Sequence, residues 1–576
     1  MFRTIIAATA ILSMPLAVTA QDTATLDDLI AQYDAFSESS DPTPKGEAAR
    51  EWGDVSPAYY ADRANQARQM LTALNAMPNQ GAQNSGPESA ILRHLLQNEI
   101  DAYVHDTARL PFVGDWGFFS MPTYTAARTR LRTEADAKAW IAQLNDTPRF
   151  FGAHTANMRR GIQTGWTANK DPLATVMDQI NEQIFSDPTK SSLYGPLSDL
   201  SNTDLDPATV AALQADGKAA VANAIRAYSD LLRFMQVEYA PNVRAGAGIA
   251  KLDGGPEAYA AAIANHTAGS GLSAEDIHLI GQSEVARIRA EMEAIVVETG
   301  VATDFADFTN FLRTDPQFYA RSPEDLLEKA SEMSKRLDAL LPQYFGKLPR
   351  LPYGVAAVPA AIAPGYTTGR YSSGDQEKGI AGTYLVNTYA LDQRPLYELP
   401  ALSAHEAVPG HHLQIALAQE LTDVPDFRKS YYATAFGEGW GLYAEKLAGE
   451  AGFYRTPYER FGQLSYEMWR ACRLVSDTGL HYYGWTREQA AACFIDNTAL
   501  APLNIETEVT RYIGWPGQAL AYKIGEMKIL ELRQYAKDEL GEAFDIRAFH
   551  DHLLGAGAMP LDAMDARMRA WVEGQK

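Results

Sequence analysis

His405-Glu406-Ala407-Val408-Pro409-Gly410-His411-His412 places three histidines and an acid within eight residues, around a helix-breaking Pro-Gly pair. A familiar zinc-binding helix sets its second histidine four residues after the first, about 40° around and one turn along. Here Pro409 takes that position, and the next histidines come six and seven residues after His405. On an unbroken helix His411 would point roughly 240° away, and His412 would lie about 10 Å along the axis. Neither could share an ion with His405, because bonds of about 2.1 Å to each imidazole bring the two nitrogens within a few Å. Pro409 lacks the amide hydrogen that would bond the His405 carbonyl, and Gly410 can take backbone angles closed to other residues. The expectation is a local bulge, with two residues looped out, His411 carried into the usual partner's place and His412 beside it. The plainer alternative is a helix with satisfied core histidines and a surface glutamate. The density of such groups in one short segment argues against it.

Glu406 is the expected general base, its carboxylate facing a metal-activated water that attacks a carbonyl. A catalytic zinc also needs a third protein ligand and an open position, and two histidines are most often completed by a carboxylate. Residues 436–445 hold two candidates. At about 100° per residue, Phe436, Trp440, Tyr443 and Leu447 share one face, and Glu438 and Glu445 lie opposite. Solvated acids on a surface helix are the competing reading, but glycines on both sides of Glu438 allow another backbone close by. Glu438 is the expected third ligand, and Glu445 its alternative or the partner behind a ligand.

Two more segments bear on the site. A helix over residues 466–481 places Arg470, Asp477 and His481 on one face, with Arg473 beside them, opposite Met468, Cys472 and Val475. That stripe either lines a cleft, where Arg473 binds a substrate carboxylate or carbonyl, or is a solvated salt-bridge face. Trp515-Pro516-Gly517 makes a turn before a helix bearing Tyr522, a phenol suited to a developing oxyanion if it is not a core residue.

Elsewhere the periodicity is helical. Ser273 with Asp276, Ser322 before Pro323, and Thr486 with Gln489 read as helix starts. Strand signals concentrate in residues 351–389, where Pro and Gly punctuate β-branched and aromatic runs. Within them, residues 382–387, with Gly382 and Tyr384, form a strand that could hold an extended peptide by β-addition. The expected division is a signal in residues 1–20, a helical N-terminal lobe in 21–300 and a catalytic lobe in 301–576.

The first twenty residues have Arg3 as a positive end, an apolar run over residues 4–16 and small residues at Val18-Thr19-Ala20, which predicts cleavage after Ala20 and export to the periplasm or medium. Ser13 and Pro15 break the run, which is shorter than the roughly 20 residues of a membrane span. No cysteine follows it, which argues against a lipid anchor, and stable membrane insertion is not expected after cleavage. The formal charge of −22 disfavours nucleic acid as a partner. Cys472 and Cys493 are the only cysteines. They flank a predicted turn near Gly484 and read equally as a disulfide or as two buried thiols.

The segments 254–259, 273–292, 382–387, 405–414, 437–445, 470–481 and 512–525 together resemble the domain-of-unknown-function 885 family, mostly bacterial proteins placed with the zincin metallopeptidases. The family pattern His-Glu, two variable residues, Pro-Gly-His matches through His411. The resemblance implies His411 as ligand and a mainly α, two-lobed zincin-like fold. That fold has a deep cleft and a small β-sheet in the catalytic lobe, akin to thimet oligopeptidase and angiotensin-converting enzyme. It also favours roles for Tyr522 and His481.

The function expected is hydrolysis of a peptide or small amide, with Zn2+ on His405, His411 and Glu438 and with Glu406 as base. A non-catalytic periplasmic peptide-binding protein and a zinc-dependent esterase are the alternatives. Glu406 beside an open metal position disfavours the first, and the second would use the same residues.

Overall fold

Helices start where a side chain can serve the unpaired backbone amides of the first turn. Ser273 caps Ala274–Thr299: its hydroxyl accepts from the Asp276 amide at 3.1 Å while the Asp276 carboxylate accepts from the Ser273 amide at 3.0 Å. Ser322 caps Pro323–Asp338, and Thr486 with Gln489 closes the start of Arg487–Asn497. All three starts read from the sequence are present. The structure, a computed structural model, describes residues 25–39, 51–77 and 87–576 apart from positions 115, 202, 361, 377 and 423. The expected signal, residues 1–20, and the turn-rich stretch 41–45 lie outside the described residues. The fold is mainly helical with two small sheets.

The hydrophobic cores do not part at residue 300. Helices Glu134–Thr164 and Pro207–Phe234 pack on each other around Trp140, Leu144, Phe151, Val221 and Tyr228, a core that also takes in Trp52 and Phe112. Leu29, Phe36, Ile91 and Leu96 on one side and Ile249, Ile277 and Val296 on the other share the core of the C-terminal half. The reason lies in Ala274–Thr299, whose buried Ile277, Ile288, Met292 and Ile295 need an apolar partner. They find it in Pro457–Thr478, against which Gly281 lets the backbone close on Leu474 and Val475.

The expected sheet is there, with three strands in the spatial order Tyr353–Ala357, Gly382–Val386, Gly369–Ser372. Gly382–Val386 is central, parallel to the first strand and antiparallel to the last. This corrects its expected role: both edges are paired, so it has no ladder to offer a peptide. Tyr384 is fully buried, and a Cβ at Gly382 would meet the Tyr371 hydroxyl and His412. Neither residue is placed to touch substrate. The strands at the sheet's two edges are Tyr353–Ala357 and Gly369–Ser372.

Pro457–Thr478 runs through the middle of the C-terminal half, and every residue from Leu464 to His481 is buried. The polar stripe read from the sequence therefore faces neither solvent nor an open cleft, and its groups are paired internally, as buried charges must be. Arg473 donates to Glu508 at 2.8 Å and to the Tyr512 hydroxyl at 2.9 Å. Lys523 is held by Glu467, Glu526 and Glu284 at 2.8, 2.6 and 2.9 Å, which ties three helices together. Cys472 and Cys493 form a disulfide, Cα atoms 5.6 Å apart, across the turn at Gly484.

Asp477 accepts from the Tyr259 hydroxyl at 2.6 Å and from the Gly517 amide at 3.0 Å. Burial nevertheless pushes its carboxyl up to about 7. The folded protein thus holds this proton more tightly than the unfolded chain, whose aspartates titrate near about 4. The stabilisation is complete below about pH 4 and is lost as the pH rises through about 7. Asp477→Asn keeps one oxygen acceptor and cannot ionise. Thermal unfolding from pH 4 to 8 is expected to show a shallower decline for the variant, and parallel curves would contradict this.

Candidate metal centre

Helix Leu399–Glu406 stops at Glu406, and after four intervening residues a new one, His411–Gln419, begins. This corrects the expected bulge: the backbone ends one helix and starts another rather than looping out of a continuous one. Pro409 has no amide to extend the ladder. The Gly410 amide turns back to the Ala404 carbonyl at 3.0 Å and the His412 amide to Ala407 at 3.0 Å. Gly410 passes so close to the Ala404 and His405 carbonyls that any Cβ would collide with both. Trp440 Nε1 donates to the Pro409 carbonyl at 2.7 Å and anchors the link to helix Thr434–Glu450. The link brings the His405 and His411 rings to 4.7 Å between centroids, nearly perpendicular.

Glu438 meets them from Thr434–Glu450. His405, His411 and Glu438 offer ligand atoms that all lie within 4.8 Å of one another, the one such trio among the described residues. Glu438 Oε2 lies 3.3 Å from His411 Nε2 and 3.6 Å from His405 Nε2, yet accepts no aligned hydrogen bond. Neighbouring ligand atoms in a tetrahedral site with bonds of about 2.1 Å are separated by about 3.4 Å. An atom that is buried and orphaned at that spacing fits a shared cation better than a salt bridge.

Behind the trio, Glu445 pairs with His405 Nδ1 at 2.8 Å, and Arg470 lies 3.4 Å from the same carboxylate oxygen. An Nδ1–H given to Glu445 leaves the Nε2 lone pair facing the centre. Burial works against charge on His405, but the close carboxylates of Glu438, Glu445 and Glu406 outweigh it and raise the imidazole to about 9. Burial also opposes ionisation of Glu438, whose carboxyl the two histidines nonetheless hold well below the usual range. The pocket calls for positive charge. Glycines make the approach possible: Gly441 leaves room for the His405 ring, and Gly439 lies on the backbone of Gly525 in helix Ala521–Leu540.

A family model described as "Bacterial protein of unknown function (DUF885)" matches residues 42–568. The chain belongs to this family. Among solved structures, a protein described as a "putative lipoprotein from Colwellia psychrerythraea" is 25% identical, with a TM-score of 0.85 over 95% of this chain and 99% of that one. A "putative lipoprotein of unknown function from Shewanella oneidensis" shares the fold at 17% identity, with a TM-score of 0.74 over 96% of this chain and 100% of that one. No curated protein matches the sequence.

In this DUF885 protein the remaining predicted residues divide. Glu406 is buried beside the trio, its Oε2 accepting from the Tyr371 amide of the edge strand at 2.7 Å. Tyr522 stacks on His405 at 6.3 Å, with the Arg473 guanidinium 4.2 Å from its ring centroid. His412 turns away: Nδ1 meets the Tyr371 hydroxyl at 3.0 Å, its ring packs on Tyr353, and burial lowers it to about 4. His481 is not brought to the centre. Its Nδ1 accepts from the Ile249 amide at 3.3 Å, its Nε2 donates to the Tyr512 carbonyl at 2.9 Å, and burial depresses it to about 3. With both nitrogens committed to backbone, it has none for a substrate.

Two residues of the DUF885 site had no signal in the sequence reading. Tyr371 contributes a backbone amide, which any residue carries. Tyr432 donates its hydroxyl to Glu438 Oε1 at 3.1 Å, an encounter set by the turn before the helix. Gly410→Ala should lower stability by about 1–3 kcal/mol, because backbone carbonyls cannot give way as side chains do. A urea midpoint equal to wild type would show that the link has room to spare.

Proposed function

We propose that this DUF885 protein is an exported zinc-dependent hydrolase, a peptidase with a two-lobed, zincin-like helical fold, cleaving peptide or related amide bonds. The observation that carries the reading is the convergence of His405 Nε2, His411 Nε2 and Glu438 Oε2 on one point, with Glu406 alongside. Two imidazoles and one carboxylate are a donor set suited to zinc and leave a coordination position open. A zinc ion there supplies Lewis acidity, lowering the pKa of a coordinated water and polarising a carbonyl.

The chain's own groups do the rest. The Tyr371 amide fixes Glu406 Oε2, so the carboxylate is aimed before substrate arrives. Glu406 takes the proton from the attacking water and returns it to the leaving nitrogen. Tyr522, whose ring lies near both His405 and the Arg473 guanidinium, would donate its phenol hydrogen to the developing oxyanion. An extended peptide would approach the edge strand Gly369–Ser372 rather than Gly382–Val386, with the Tyr371 amide of that strand already given to Glu406. Export is supported by the N-terminal signal pattern, by a disulfide that needs an oxidising compartment, and by the lipoprotein descriptions of the structural relatives.

Glu406→Gln is expected to keep zinc, as read by elemental analysis, while cleavage of a mixed peptide library falls by about 10²–10⁴-fold, as read by product mass spectrometry. Wild-type turnover in that variant, or a wild-type protein that cleaves nothing with zinc bound, would sink the proposal.

A further inference from the structure

We infer that Tyr432 is a positioning residue for the metal: its phenol holds Glu438 to ligation through a single oxygen and so sets the affinity and coordination number of the bound cation. The inference rests on the metal-binding part of the proposed function. Tyr432 stands two residues before helix Thr434–Glu450, and its O–H donates to Glu438 Oε1 at 3.1 Å. The other oxygen, Oε2, faces the imidazoles and has no hydrogen-bond partner among the described residues. The two oxygens of one carboxylate are thus assigned different tasks. Without the phenol, both would be free to close on an ion, and bidentate ligation would add a fifth donor atom that crowds the position hydrolysis needs.

The local sequence is arranged around this contact. The Tyr432 ring lies where a Cβ at position 437 would be, so Gly437 makes its room. Glycine in the first turns of a helix is otherwise disfavoured. Tyr432 as a whole is 41% exposed, and its phenol end lies against Gly437. Thermal unfolding of Tyr432→Phe, followed beside metal binding, separates an effect of the lost hydroxyl on the metal from one on folding.

The test compares wild type, Tyr432→Phe, Tyr432→Ala, Gly437→Ala and the Tyr432→Ala/Gly437→Ala double variant in the full chain. Zinc dissociation constants come from competition with a chromophoric chelator, and coordination number from the visible absorption of the cobalt(II)-loaded protein. Tyr432→Phe should bind zinc about 10–100-fold more weakly, the usual effect of losing a partner behind a ligand. Its cobalt bands should lose intensity as a four-coordinate site becomes five-coordinate. Gly437→Ala should weaken zinc by displacing the ring, and in the Tyr432→Ala background it should add nothing. Zinc affinity in Tyr432→Phe indistinguishable from wild type, or cobalt bands of unchanged intensity, overturns the inference while leaving the metal site standing. A wild-type protein that takes up neither metal removes the site itself.

Discussion

Burying a carboxylate costs several kcal/mol unless something positive answers it, and this protein buries four around one point: Glu406, Glu438, Glu445 and, one layer further out, Glu508. The answer is a set of imidazoles and arginines drawn from different helices, centred on Glu438 Oε2 between His405 and His411. The charge balance of that centre organises the C-terminal half. It explains why His405 is raised to about 9 and why Arg470 reaches Glu445. Strong hydrogen bonds at this depth hold only if the backbones can approach, and the glycines at 410, 439 and 441 are where they do.

The same logic runs through helix Pro457–Thr478. A helix buried on every side is normally apolar all round. This one carries Glu467, Arg470, Arg473 and Asp477, each matched by a partner on a neighbouring helix. The polar pairs connect the wall of the centre to Ala274–Thr299, which precedes the boundary suggested by the sequence. A helical segment that looked like part of the N-terminal lobe is therefore a support of the C-terminal half, and the separate core belongs to Trp52 and to residues between Phe112 and Tyr239. Arg473 is the bridge to the centre itself, through the face of Tyr522 that lies against His405.

Much of the site was legible because it is written locally. Two histidines that cannot meet on a regular helix, separated by Pro-Gly, already require the chain to turn between them. Glycines on both sides of Glu438 mark a helix that something approaches closely, and capping residues announce the helix starts. What was not legible is non-local. Whether Gly382–Val386 lies at the centre or the edge of its sheet depends on which strands come to pair with it, and strand order leaves no trace in a strand's own residues. A stripe such as Arg470, Asp477 and His481 reads the same whether it faces water or other helices, because helical spacing reports the side of a helix and not what covers it.

The amino-acid sequence by itself determined the helical class, the helix caps and the break at Pro409-Gly410, and it narrowed the groups that meet to His405, His411 and one of two glutamates, since each follows from backbone chemistry or from residue types a few positions apart. Only the tertiary structure decided that Glu445 stands behind His405, that the Tyr371 amide and the Tyr432 hydroxyl bond Glu406 and Glu438, and that His481 and His412 turn to other partners. These outcomes depend on contacts between segments that are unrelated along the chain. Such contacts are set by which surfaces bury one another, a choice made jointly by the whole fold.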